Sequence, residues 1–216
     1  MKVKKLISLL LIISMVFLLG ATFAACEKKD EDGGGEDSGP AAISFLKEAA
    51  TGERNDYAGS VGYEVKCLAD MTVSAVGRPL NGEMNNSHTV YIWEVSSQTL
   101  LGSAEITPES TLDDLGFKTA QLSSSIAFKA GESYRIVSSE QLEGDKWYDV
   151  GVEENDAPEL VPTADCEIIT PAFTGEDVAS YPANEHNPGG KNKGYVGVTF
   201  YYTLDVAETS DDTAAE

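Results

Sequence analysis

The chain has 216 residues, with 36 Asp and Glu against 15 Lys and Arg, for a formal net charge of −21. No basic cluster follows the first five residues, so neither nucleic acid nor electrostatic adhesion to anionic lipid fits as a partner. The length allows one domain with a sizeable core.

The N-terminus, residues 1–25, reads as a secretory signal. Lys2, Lys4 and Lys5 make a basic start, Leu6 to Leu19 a mostly apolar run, and Ala24 and Ala25 a small-residue site directly before Cys26. The apolar run falls short of the roughly twenty residues that span a bilayer. A cysteine in that place resembles the lipobox of bacterial lipoproteins. The resemblance implies cleavage before Cys26, a diacylglyceryl thioether on its sulfur and acylation of the new N-terminus. Two or three acyl chains hold a protein stably where one is marginal, at about 0.8 kcal/mol per buried methylene. The expected location is extracytoplasmic, at the cell surface or in the periplasm, with the membrane reached through lipid. An ordinary signal peptide with an unmodified Cys26 is the alternative.

Residues 26–40 form the expected tether. Glu27 to Pro40 (EKKDEDGGGEDSGP) has no apolar side chain to offset the entropy of ordering. A flexible stretch of that length reaches roughly 20 Å. Residues 41–204 are the expected domain, and the acidic tail 205–216 reads as disordered.

Within the domain, short β-branched and aromatic runs alternate with Gly, Pro, Asn and Asp. Candidate strands are Val61–Cys67, Met71–Val76, Thr89–Val95, Leu100–Ile106, Phe117–Leu122, Ile126–Lys129, Tyr134–Ser138, Cys166–Ile169 and Tyr195–Leu204. In the last, Val196, Val198, Phe200, Tyr202 and Leu204 share one face. In Thr89–Val95 both faces carry bulk, which predicts a strand covered on both sides. Ile43 to Ala50 reads as a short helix, and Thr107-Pro108 through Gly116 as a single helical turn. Val150–Ala164 and Ala172–Gly194 read as long loops. The fold class is all-β, an antiparallel, jelly-roll-like β-sandwich, with a closed barrel as the alternative.

Several segments, in order, resemble one largely uncharacterised family of bacterial extracellular β-sandwich modules. They are Arg54 to Val65 (RNDYAGSVGYEV), Val73 to Arg78 (VSAVGR), Ser87 to Val90 (SHTV), Gly116-Phe117 and Ala130 to Tyr134 (AGESY). Val137 to Asp149 (VSSEQLEGDKWYD) and Tyr195 to Phe200 (YVGVTF) complete the series. The resemblance covers about residues 54–202. It implies an accessory module of secreted or surface proteins, of the kind often found beside carbohydrate-active enzymes.

Motifs for chemistry are lacking. The two histidines, His88 and His186, have no zinc-ligand spacing. His88, beside Ser87 at the start of a strand, reads as a hydrogen-bonded structural residue, and His186 as solvated. There is no G-x-S-x-G elbow, and Ser44-Phe45-Leu46-Lys47 matches S-x-x-K by chance. Glu153, Glu154, Asn155 and Asp156 lack EF-hand spacing. No cofactor, no metal and no catalysis are expected.

A sugar site pairs an aromatic face with planar polar groups that orient hydroxyls. Glu140 to Asp149 offers both: Trp147 or Tyr148 as platform, with Glu140, Asp145 and Asp149 as acceptors. Arg54, Asn55 and Asp56 join them through the shared resemblance, and Arg78 is a further polar candidate. The competing reading is structural: Trp147 plugs one end of the sandwich, Asp149 caps a turn, and Arg54 to Asp56 pin the first strand to this loop. The functional expectation is a non-catalytic binding module for carbohydrate or a cell-surface polymer such as cell wall. A structural or assembly lipoprotein that binds a protein partner is the alternative.

Cys67 and Cys166 are the only cysteines besides Cys26. In an oxidising compartment they could pair, closing a loop worth up to roughly 4–5 kcal/mol in the chain-entropy model. Two separate half-buried thiols are the alternative, and spacing does not choose between them.

Overall fold

Apolar alternation builds the inner faces of two antiparallel sheets. The computed structural model describes residues 41–148, 159–185 and 192–205. The signal segment, Cys26, the tether and residues 206–216 lie outside the described residues, as do Asp149, Glu153 to Asp156 and His186. The described residues form strands β1 (Ile43–Ser44), β2 (Gly59–Cys67), β3 (Met71–Pro79), β4 (His88–Glu94), β5 (Leu100–Ile106) and β6 (Thr111–Leu112). They continue with β7 (Phe117–Phe128), β8 (Ser133–Glu140), β9 (Cys166–Phe173), β10 (Asn184–Glu185) and β11 (Thr199–Leu204). None of the described residues is helical, and no helix among them is long and apolar enough to cross a membrane.

One sheet runs β1-β11-β3-β7-β6, the other β10-β9-β2-β8-β4-β5. Every paired strand is antiparallel. Both sheets contribute to one core. Val61, Tyr63 and Val65 of β2, Val90 and Ile92 of β4, and Ile136 of β8 bury beside Met71 and Val73 of β3 and Phe128 of β7. Phe128 stacks on Tyr134 of the other sheet, with ring centroids 3.8 Å apart. The arrangement is consistent with a β-sandwich.

As its two bulky faces predict, β4 lies between β8 and β5 and is covered on both sides. Val90 and Ile92 face the core, while Trp93 packs edge-on against Tyr181 at 5.9 Å. Tyr181 belongs to the loop that joins β9 to β10 and folds back over the outer face.

Five local expectations are corrected. Ile43 to Ala50 is not a helix: Ile43 and Ser44 pair with Tyr202 and Tyr201. A run of eight residues gains little from helical bonds, whereas consecutive Phe45 and Leu46 can both bury here. Phe45 stacks on Phe200 at 4.7 Å, and the backbone donors of Phe45 and Lys47 reach Phe200 O (2.8 Å) and Val161 O (2.9 Å).

The Thr107 turn is a reverse turn rather than a helical one. Ser110 N donates to Thr107 O at 3.0 Å, and Gly116 supplies a φ of 91° before β7. The two strands expected over Phe117–Lys129 are one strand of 12 residues. Its register against β3 jumps between Val73 and Ala75, so the Ser-rich middle bulges instead of breaking the strand. The last strand starts at Thr199, because Val196 stands at φ 27° and turns the chain off the ladder. Val196, Val198, Phe200 and Tyr202 are nonetheless buried, and Leu204 is exposed. Asp205, assigned to the tail, is tied into the fold by its N–H to Asp70 O at 3.0 Å.

Candidate functional site

The loop 141–148 after β8 is held on two sides. On one side it is sewn to the segment preceding β2. Trp147 N donates to Arg54 O at 2.9 Å, Glu143 N to Asn55 O at 2.7 Å, and Asn55 Nδ2 to Gly144 O at 3.2 Å. The two segments expected to meet do meet, and Asn55 performs the pinning role of the structural reading.

On the other side the loop closes over a buried cluster of charges. Arg78 grips Glu140 with two hydrogen bonds, Nε to Oε1 at 3.0 Å and Nη2 to Oε2 at 2.9 Å. Ser138 Oγ adds a third at 2.8 Å. His88 Nδ1 faces Ser139 O at 2.7 Å and Glu140 Oε2 at 3.4 Å, and its Nε2 meets Asp145 Oδ2 at 3.0 Å. Asp145 also accepts the backbone N–H groups of Asn85 (2.8 Å) and Asn86 (2.9 Å). Arg78, His88, Glu140 and Asp145 are all buried.

The electrostatics follow from that packing. Burial disfavours charged Glu140, but the His88 hydrogen bond and the Arg78 charge outweigh it and hold the carboxyl below its ordinary range. Asp145 is lowered too: burial is opposed by His88 and the Asn85 and Asn86 amides. For His88, burial opposes the charge, yet Glu140 and then Asp145 raise its pKa. Three residues expected to meet ligand therefore find their partners inside the fold: Arg78 and Glu140 in each other, and Asp145 in His88 and the Asn85 and Asn86 amides. His88 has the structural, hydrogen-bonded role its sequence position suggests.

The open feature lies beside this cluster. A pocket of about 180 Å³ is lined by Arg54, Tyr57, Val61, Trp147, Phe173 and Tyr195. Val61 and Phe173 are register partners on β2 and β9, on the face that carries Tyr63 into the core, so the pocket opens from one end of the sheet interior. Four rings surround it in a chain of edge-to-face contacts. Tyr57 meets Phe173 at 6.2 Å, Phe173 meets Tyr195 at 6.0 Å, and Tyr195 meets Trp147 at 6.4 Å. The Tyr57 hydroxyl is anchored by donation to Thr174 O.

Trp147 is the wall of this pocket and not an exposed platform: only 2% of it is accessible. The Arg54 guanidinium carbon lies 5.0 Å from its ring centroid, a cation–π geometry. Arg54 Nε also donates to Asp56 Oδ1 at 2.6 Å, and that bond holds the Asp56 carboxyl below its usual range. Trp147 Nε1 is buried with no hydrogen-bond partner among the described residues, an unmet donor of the kind a bound oxygen satisfies. Tyr148, the other expected platform, is buried in the core, and its hydroxyl is pushed up to about 12 by burial first and by Glu159 second.

Of the expected residues, the pocket thus gathers Arg54 and Trp147, with Asp56 bonded to Arg54 and Asn55 in the supporting backbone. Tyr57, Val61, Phe173 and Tyr195 were not read as site residues. They come from three separate segments, and only the pairing of β2 with β9 brings Val61 and Phe173 together. The alternation of β2 could have placed Val61 inward, but nothing local marks Phe173. Among the described residues no group of three or more His, Cys, Asp or Glu side chains is placed to hold a metal ion. No protein-family model matches the chain, and no curated protein is significantly similar to it.

Proposed function

We propose that the protein is a lipid-anchored extracytoplasmic binding module that recognises a sugar unit of a glycan or cell-surface polymer without transforming it. Cys26 carries the anchor and the acidic tether lifts the domain from the membrane. The domain is jelly-roll-like in this reading. The orders β1-β11-β3-β7 and β2-β8-β4-β5 support this, because the chain alternates between sheets as it does in a double Greek key, with β9 and β10 added at one edge. Lectin domains use that architecture.

The observation that carries the function is the ring-lined pocket. Its volume of about 180 Å³ suits one ring, since a dry 150 Å³ cavity accepts benzene. The tyrosine and tryptophan faces supply apolar area for the C–H side of a sugar. Arg54 at the rim, with Asp56 bonded to it, supplies polar contacts.

The test is a screen of glycans and cell-wall polymers with the full mature chain, followed by Tyr195→Ala. Half-buried Tyr195 should lose retention on the polymer while the chain stays folded. Trp147→Ala is a poor probe, because truncating a buried Trp costs about 3–5 kcal/mol by itself. Retention that survives both Tyr195→Ala and Tyr57→Ala would remove the pocket from the proposal.

A second reading, recognition of a protein partner, is favoured by one surface. Exposed Leu68 and Ile169 line a shallow groove of about 390 Å³ on the β2–β9 side. Under that reading, Leu68→Glu should abolish partner capture and leave polymer retention intact.

A further inference from the structure

We infer that Cys67 and Cys166 are joined as a cross-strand disulfide in the exported protein. They are Cα partners in the β2–β9 ladder, and their sulfurs lie 3.3 Å apart. The type of pair matters. Cys67 directs its own backbone groups to the turn before β8, donating to Glu132 O at 3.0 Å and accepting from Gly131 N at 2.8 Å. Toward β9, the neighbouring Leu68 N donates to Asp165 O at 2.8 Å. Cys67 and Cys166 are therefore a non-hydrogen-bonded pair, the closer kind, with Cα atoms about 4.5 Å apart. That spacing lies inside the range a disulfide spans. A small rotation of the side chains closes the bond without moving the backbone.

The chemistry balances with an external disulfide as oxidant, either glutathione disulfide or the disulfide of an oxidoreductase. One thiolate attacks it to form a mixed disulfide, and the second thiolate displaces the remaining thiol. Cys67 and Cys166 together lose two protons and two electrons, and the oxidant leaves as two thiols. Both sulfurs are buried in the folded protein, with Met71 Sδ at 4.0 Å from Cys166, so an oxidant reaches them before the strands close and not afterwards. With Cys26 taken by lipid, the pairing uses every remaining cysteine of the chain. The bond also has a place in the site's construction. The β2–β9 register shifts between Glu64 and Val65, and the cross-link fixes the two strands beyond that shift from Val61 and Phe173.

The experiment uses the full chain with Cys26→Ser, unfolded and refolded in a mixture of reduced and oxidised glutathione, then denatured and alkylated without reductant. The expected product carries no label, yields one proteolytic peptide pair joining Cys67 to Cys166, and melts about 10 °C above the same chain unfolded and refolded in reductant. The double variant Cys67→Ala/Cys166→Ala in the same background should melt near the reduced form. The same labelling is repeated on the natural chain exported through its own leader. Alkylation of both cysteines in either sample overturns the inference, as does a bond from either cysteine to a second chain.

Discussion

One loop, 141–148, borders two regions of opposite character. On one flank Arg78, Glu140, His88 and Asp145 form a sealed cluster in which charges face opposite charges at 2.9–3.4 Å. On the other flank Arg54, Tyr57, Trp147, Phe173 and Tyr195 leave a cavity among rings, with one buried donor unmet. The sealed side has its hydrogen-bonding capacity engaged within the fold, so it gives rigidity. The open side retains ring surface around a cavity. A loop clamped on one flank presents Trp147 and the Arg54 backbone in a fixed place, which lowers the ordering cost of binding on the other.

The largest expected effect breaks the sealed side. Glu140→Ala leaves Arg78, 1% exposed, without its carboxylate. Removing one partner of a buried pair costs about 3–5 kcal/mol, to be read as a lower denaturation midpoint in urea. Polymer retention by the fraction still folded should also fall, since the loop loses its clamp. A loss below about 1 kcal/mol would mean that water reaches Arg78 and that the cluster is not sealed.

A smaller effect comes from pH, and its sign differs on the two flanks of the optimum. The folded-state pKa of His88 is raised above the ordinary 6.5. Its contribution is therefore complete below that value and is lost as pH rises through the raised one. Glu140 and Asp145 are lowered from 4.5 and 3.8, so theirs is complete above those values and is lost as pH falls through the lowered ones. The cluster should stabilise most between about pH 5 and the ordinary His value. His88→Gln should flatten the alkaline flank of a stability-against-pH curve from chemical denaturation and shrink the acid flank to what Arg78 holds on Glu140 and the Asn85 and Asn86 amides hold on Asp145. An unchanged alkaline flank would show that His88 is neutral in the fold.

Sequence revealed the strands better than the site, for a physical reason. Period-two alternation is local, so β2, β4 and the buried residues Val196 to Tyr202 were legible from their own residues. The Ile43–Ala50 helix failed because the backbone partners of Phe45 and Lys47, Phe200 and Val161, lie far along the chain. Arg54 to Asp56 were expected near the Glu140–Asp149 stretch, and Arg54 and Asn55 do hydrogen-bond to its described residues. Yet the exposure of each side chain was not legible: Glu140 and Asp145 resemble solvated acids until Arg78 and His88 arrive from β3 and β4. Trp147 likewise has the composition of a platform and the environment of a wall. The likeness of motifs named a neighbourhood, and only tertiary pairing decided which atoms remained free for a ligand.

The smallest expected change in stability tests the open side most directly. The Arg54 side chain is 37% exposed, and a cation–π contact at such a site contributes about 0.5–1 kcal/mol, so Arg54→Ala should barely move the urea midpoint. Its effect on polymer retention should be far larger, because the guanidinium forms the polar rim over the Trp147 ring. Arg54→Lys separates the two ways it can act. An ammonium keeps the charge but has neither the flat face that stacks on the indole nor the planar fork whose Nε engages Asp56. If Lys restores retention, charge alone serves the ligand. If Lys behaves as Ala does, the stacked plane is what the pocket requires, as its ring-lined construction implies.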